Sequence, residues 1–162
     1  MNKKITIFTD GAAKGNPGPG GYGVVLQTDK YKKELSAGYK LTTNNRMELL
    51  AVIKGLEALK YKGSDVVVYT DSKYIADAVN KGWVLEWERK AFRKKKNSDL
   101  WRRFLKVYRL HNVTFKWVKG HSGTQGNERC DQLAVEASEG NNLLEDKGYI
   151  EENEKGKLFN EE

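Results

Sequence analysis

Residues 4–10 alternate, with Ile5 and Ile7 on one side of the chain and Thr6 and Phe8 on the other. That period of two predicts a strand ending at Asp10. The stretch 15–21 holds both prolines of the chain and is read as neither helix nor ladder. Tyr22–Thr28 and Lys32–Tyr39 predict two further strands around a turn near Asp29-Lys30, so the chain opens on an antiparallel meander. Over 44–61 the period changes. Leu49, Val52, Ile53, Leu56 and Leu59 form the stripe of a core-facing helix, with Thr43 or Asn44 as its N-cap. Val66–Tyr69 is a continuous apolar run, as in a buried central strand, and it ends at Thr70-Asp71. Ser72 then caps a short helix reaching about Asn80. Past a compositionally distinct stretch, 81–97, Asn97 or Ser98 caps a helix with Leu100, Phe104, Val107 and Tyr108 on one face. A fifth strand (Val113–Val118), a glycine-containing loop (120–127) and an amphipathic helix (Glu128–Ser138) follow. Beyond Gly140 the chain is acidic and aperiodic, which predicts a loosely ordered tail over 141–162 behind one domain, 1–140.

This order implies an α/β fold with a mixed sheet flanked by helices. The helix between strands three and four is long enough for a crossover, so strand four can lie parallel to strand one.

Charge adds a partner class. Residues 1–138 hold 26 Lys and Arg against 14 Asp and Glu, whereas 139–162 hold 3 against 8. A basic body suits a polyanion, and equally it suits plain solubility. Within 83–103, Trp83, Trp87, Phe92 and Trp101 are interleaved with Arg89, Lys90, Arg93, Lys94, Lys95, Lys96, Arg102 and Arg103. Cations supply phosphate affinity and aromatics supply flat faces for sugars or bases. Trp101, beside Leu100 and Phe104, is read as a packing residue. No apolar run approaches the ~20 residues of a membrane span, and none follows the basic N-terminus as in a signal peptide. The expectation is a soluble, cytoplasmic protein. Cys130 is the single cysteine, which excludes an intrachain disulfide and a thiolate metal centre.

The candidate chemistry lies in carboxylates. Asp10 and Asp71 each follow an apolar strand, in Phe-Thr-Asp-Gly and Tyr-Thr-Asp-Ser. If those strands are parallel neighbours, ~4.8 Å apart, both acids leave the sheet at one edge. Carboxylates that close repel unless a proton or cation lies between them. Glu48 borders the apolar face of its helix, and Asp131 sits at the rim of the packed face of the last one. Four acids from four elements could converge, as hard cations such as Mg²⁺ and Mn²⁺ require. Taken singly, each has an ordinary reading as a turn residue or a solvated helix edge.

The residues themselves add a resemblance. Ile7-Phe8-Thr9-Asp10-Gly11, Gly15-Asn16-Pro17-Gly18-Pro19-Gly20-Gly21-Tyr22-Gly23, Thr42-Thr43-Asn44-Asn45-Arg46-Met47-Glu48-Leu49, Thr70-Asp71-Ser72, Trp117-Val118-Lys119-Gly120-His121 and Asn127-Glu128-Arg129-Cys130-Asp131 stand in this order. The set resembles bacterial type-1 ribonucleases H over about residues 4–150. The resemblance implies the ribonuclease H-like fold, a five-stranded sheet with strands four and five parallel to strand one. It further implies hydrolysis of the RNA strand of RNA–DNA hybrids with two Mg²⁺ ions, Mn²⁺ substituting, held by Asp10, Glu48, Asp71 and Asp131. His121 would assist proton transfer or product release, and His111 matches no catalytic position. Gly11, Asn16, Asn44 and Asn45 would contact the hybrid, Thr43 and Asn97 would hold a DNA-strand phosphate, and Tyr74, Trp83 and Trp87 would form a groove for that strand. Lys94, Lys95 and Lys96 match the substrate-binding handle, here with a shorter stretch between Trp87 and Asn97. Lys73 stands where glutamine is common, and Leu41 where arginine often supports the phosphate pocket, with Lys40 beside it. The expected form is a monomer with no obligate protein partner and no separate hybrid-binding module ahead of strand one. A non-catalytic hybrid-binding module and a DNA nuclease of the same superfamily are the other readings. Four acids would hinder mere binding of a polyanion, and the Asn16 and Thr43-Asn44-Asn45 blocks favour the RNA-specific branch.

Overall fold

The computed structural model describes residues 4–120 and 125–160, with side chains through Gly156. Its elements are β1 (Lys4–Ala13), β2 (Gly18–Gln27), β3 (Lys32–Thr42), α1 (Asn44–Glu57), β4 (Asp65–Thr70), α2 (Lys73–Asn80), α3 (Trp83–Arg89), α4 (Ser98–Tyr108), β5 (Asn112–Trp117), α5 (Gln125–Ser138) and α6 (Lys147–Asn160). The strands form one mixed sheet in the order β3-β2-β1-β4-β5. β1 is antiparallel to β2 and parallel to β4, and β4 is parallel to β5. This is the sheet the sequence predicts.

The alternation along β1 distributes side chains to two cores. Ile7 joins the main core, with Val24, Val68, the α1 residues Leu49, Val52, Ile53 and Leu56, and Trp101 and Phe104 of α4. On the opposite face Phe8 packs against Val25, Cys130 and Leu133, under α5. Leu49, Val52, Ile53 and Leu56 of the predicted stripe are buried, and so are Met47, Leu50 and Ala51, because α1 is covered by the sheet and by α4; the helix ends at Glu57, short of the expected 61, and leaves Leu59 beyond it and partly buried. Thr43, not Asn44, is its N-cap, and its hydroxyl accepts from the Arg46 amide. Two glycines set the approach of the helices. A Cβ on Gly11 would lie 2.3 Å from the Met47 carbonyl carbon of α1, and one on Gly23 would lie 2.2 Å from the Cys130 carbonyl oxygen of α5.

Three expectations are corrected, and a fourth holds in position only. β1 does not end at Asp10 but runs on to Ala13 by pairing with β2. β2 begins at Gly18 and so includes Pro19, which the sequence reading kept out of any ladder. The β2–β3 register shifts between Gly18 and Gly20, so the missing proline N–H is not called upon, and the Pro19 carbonyl accepts from the Lys14 amide. The basic stretch 81–97 contains a helix, α3, after Gly82 at φ 74°. Phe92, past the end of α3, is buried and belongs to the main core, so part of the expected handle is core. Asn97 is the N-cap of α4, one of the two residues expected there, but it is left-handed and makes no side-chain cap bond, because its amide is engaged elsewhere.

The expected loose tail is also structured in part. Leu144 pairs with β3 through bonds to Gly38 and Lys40. Asp146 is buried and answers a buried cation, Arg46, whose Nε and Nη2 donate to it at 2.8 and 2.9 Å. Acidic composition predicts solvation, while one of those acids is a counter-ion for the core.

Candidate active site

The β1–β4 register places the first two carboxylates. Phe8 pairs with Tyr69, and their rings stack at 5.2 Å. Asp10 and Asp71 each lie two residues beyond that pair, so they leave neighbouring strands at one level. α1, drawn in over Gly11, brings Glu48 to the same place. One oxygen from each of Asp10, Glu48 and Asp71 lies within 4.8 Å of the others. Asp131, from α5, lines the same cleft of about 600 Å³ without joining that tight group.

The electrostatics record the crowding. Burial, then the charge of Asp71, pushes the Asp10 carboxyl up to about 7, although the Gly11 amide donates to it at 2.9 Å. Burial, then Asp10 and Asp71, likewise raises Glu48. Glu48 Oε2 is buried without a hydrogen-bond partner among the described residues. Acids gathered this closely, one with an unmet lone pair, present the oxygen donors that a hard divalent cation takes. Cys130 lies nearby, but burial first, then Asp10, pushes its thiol up to about 12, so it offers no thiolate.

The remaining predicted residues divide by place. Gly11, Asn44 and Asn45 line the cleft. Asn16 and Asn44 are tied together, since Asn16 Oδ1 accepts from the Asn44 amide at 2.9 Å and Asn44 Oδ1 from the Ala13 amide at 2.6 Å. His121 lies outside the described residues. Farther along the surface, Trp83 is exposed with Lys81 over its ring, whereas Trp87 is half-buried, edge-on to Trp101 and capped by Lys95. Tyr74 Oη accepts from Trp101 Nε1 at 2.8 Å and from Asn97 Nδ2 at 3.2 Å. Trp101 is fully buried, in its predicted packing role. Thr43 accepts from the Arg46 backbone amide and Asn97 from its guanidinium, while Lys94, Lys96, Lys40 and Leu41 are exposed. Lys73 stands over the Trp117 ring. His111 accepts from the Ser64 amide, away from the cleft.

Ser72, Lys119, Asn127, Glu128 and Gln132 line the cleft and were not singled out from sequence. A signal existed for two of them. Asn127 and Glu128 precede Asp131 by four and three residues, the spacing that shares a helix face.

The ribonuclease H family profile matches residues 2–139. The chain is 56% identical over 151 residues to ribonuclease H of Trichodesmium erythraeum, covering 90% of this chain and 96% of that one. It is 51% identical to ribonuclease HI of Synechocystis sp., covering 90% and 94%. Among solved structures, LC9-RNase H1, described as a type 1 RNase H with the type 2 active-site motif, superposes with a TM-score of 0.77 at 30% identity, over 85% of this chain and 73% of that one. LC11-RNase H1 in complex with an RNA/DNA hybrid superposes with a TM-score of 0.61 at 30% identity, over 82% and 95%. A mixed sheet that delivers its acids to one edge, relatives above half identity along nearly their whole length, and a matching family profile place this chain in the ribonuclease H family, as an enzyme of the bacterial type-1 kind.

Proposed function

We propose that this enzyme hydrolyses the RNA strand of RNA–DNA hybrids at the cleft formed by Asp10, Glu48, Asp71 and Asp131, using two divalent metal ions and leaving 5′-phosphate and 3′-hydroxyl ends. The observation that carries the reading is the three-carboxylate cluster with its partnerless Glu48 oxygen. Asp10 and Asp71, level with each other on adjacent strands, would face the metals from the sheet, with Glu48 and Asp131 completing the donor set from α1 and α5. When bound, Mg²⁺ or Mn²⁺ supplies the positive charge that eases deprotonation of a water and stabilises the departing oxygen. The bond formed is from water oxygen to phosphorus, and the bond broken is from phosphorus to the 3′ oxygen, which takes up a proton. His121 is the proposed group for that proton or for product release.

Choice of strand would come from the rim. Asn44 and Asn45 line the cleft and Asn16 is locked to Asn44, so three amides present donors and acceptors beside the acids. A 2′-hydroxyl both donates and accepts, and Glu48 can accept from it while holding a metal. Thr43 and Asn97 are assigned to a DNA-strand phosphate. Trp83, Trp87 and Tyr74, with Lys94, Lys95, Lys96 and Lys73, are assigned to the flanking backbone, where cations act without regard to sequence.

A hybrid carrying 2′-deoxy nucleotides at the scissile step is therefore expected to bind and to be cut roughly tenfold or more slowly, since the hydroxyl contacts vanish. A gel assay of the matched and substituted hybrids checks this. Equal rates, or cutting of duplex DNA, would assign the enzyme to the DNA-cleaving branch.

A further inference from the structure

Asp71 has a structural debt that the sheet itself does not settle. The β4–β5 pairing ends at Thr70 opposite Trp117, with the Val118 amide donating to the Thr70 carbonyl at 2.9 Å. The Asp71 carbonyl lies one residue past the ladder, so no strand amide reaches it. Trp117 supplies the donor instead, through indole Nε1 at 3.0 Å. The same ring lies under the Lys73 ammonium, 4.8 Å from its centroid. Lys73 is the first residue of α2, so one indole grips the β4–α2 turn on both sides of Ser72. The Ser72 amide in turn donates to the Thr70 hydroxyl at 3.1 Å. Downstream on the same segment, the backbone of Gly120 comes so near that a Cβ there would stand 3.3 Å from Asp71 Oδ2.

These contacts matter because Asp71 is repelled. One of its oxygens lies within 4.8 Å of oxygens of Asp10 and Glu48, and carboxylates that close repel one another. A half-buried aspartate in that position needs its backbone restrained from the side away from its neighbours. Trp117 keeps 44% of its surface in water, and a large aromatic left that exposed contributes little to the core.

We propose that Trp117 is a positioning residue for Asp71, fixing the strand-end backbone so that the carboxylate meets the metal without reorganising. Preorganised ligands bind tighter because less order is lost on binding. The inference rests on the reading of Asp71 as a metal ligand. It assigns the indole N–H, and not the ring as such, to that task, while the ring face orders Lys73.

Calorimetric titration of the free protein with Mn²⁺ tests this, with thermal melting to verify folding. Trp117→Phe keeps a ring for Lys73 and removes the N–H. It is expected to weaken Mn²⁺ binding by roughly three- to tenfold, the range that corresponds to one hydrogen bond of ordinary strength, with little change in melting temperature. Trp117→Tyr should behave alike, and Lys73→Gln should leave Mn²⁺ affinity within about twofold, since the N–H is retained. Asp71→Asn separates the two levels. If it binds Mn²⁺ like wild type, the assignment of Asp71 fails. If Asp71→Asn loses binding while Trp117→Phe and Trp117→Tyr keep wild-type affinity, Trp117 has no positioning role and the inference is overturned.

Discussion

Asp10→Asn is expected to reduce hybrid cleavage by about a thousandfold while raising the melting temperature of the metal-free protein. The loss follows from the site. Metal charge is worth several kcal/mol to the transition state, and each ~1.4 kcal/mol is a factor of ten in rate. Asn keeps the shape of Asp and removes the charge that holds the ion. The gain in stability follows from the repulsion. In the unfolded chain Asp10 loses its proton near its ordinary value of 3.8, and in the fold near 7. Between those values the folded state binds more protons than the unfolded one, so its stability falls as pH rises through that window. The variant lacks this fall, and its advantage over wild type should be larger at pH 8 than at pH 5. Steady-state assays and melts at the two pH values, with chelator present in the melts, check both halves. Retention of a tenth of the activity, or a lower melting point at both pH values, would contradict the assignment.

The second large effect is expected at Arg46, two residues from Glu48 but facing away from the cleft. Its side chain is 2% exposed and its five N–H donors meet Asp99, Asp146 and Asn97. Asp146 also accepts from the Thr42 hydroxyl at 2.7 Å, and Glu152 accepts from the Asn97 amide at 2.8 Å. One cation thus joins α1, the start of α4 and the C-terminal segment. Removing one partner of a buried pair leaves the other charge unpaired, at a cost of about 3–5 kcal/mol, or roughly 6–20 °C for a chain of this size. Arg46→Ala should show that loss by thermal melting. Burial would raise the Asp99 carboxyl, but the Arg46 bonds and charge outweigh it and hold the group below its usual range. That contribution is present above the ordinary aspartate value and is lost as pH falls through the folded one, so the gap between wild type and variant should narrow in acid. A drop under about 1 kcal/mol would mean the network is as weak as an exposed ion pair.

Legibility in the sequence follows physical lines. Strands β1 and β5 were legible from their alternation, β4 from its unbroken apolar run, and α1 from its stripe of Leu49, Val52, Ile53 and Leu56. The level meeting of Asp10 and Asp71 was legible because both follow apolar strands that a crossover can make parallel. α3 was hidden because its short span mixes Trp83, Trp87 and charge, with no stripe to count. The order around Asp146 was hidden because the pairing partner, Arg46, sits on a distant helix among apolar neighbours, and composition cannot show which acid meets which cation. The same holds for Trp117, whose N–H acts on a residue 46 positions away.

The most direct test is to identify the products. A hybrid labelled on the RNA strand, incubated with Mg²⁺ and analysed by mass spectrometry, should yield RNA fragments with 5′-phosphate and 3′-hydroxyl ends. The DNA strand should stay intact, and no cleavage should occur with chelator or with Asp10→Asn. Fragments ending in 2′,3′-cyclic phosphate, or cleavage that persists without divalent metal, would contradict hydrolysis at a carboxylate-held metal site.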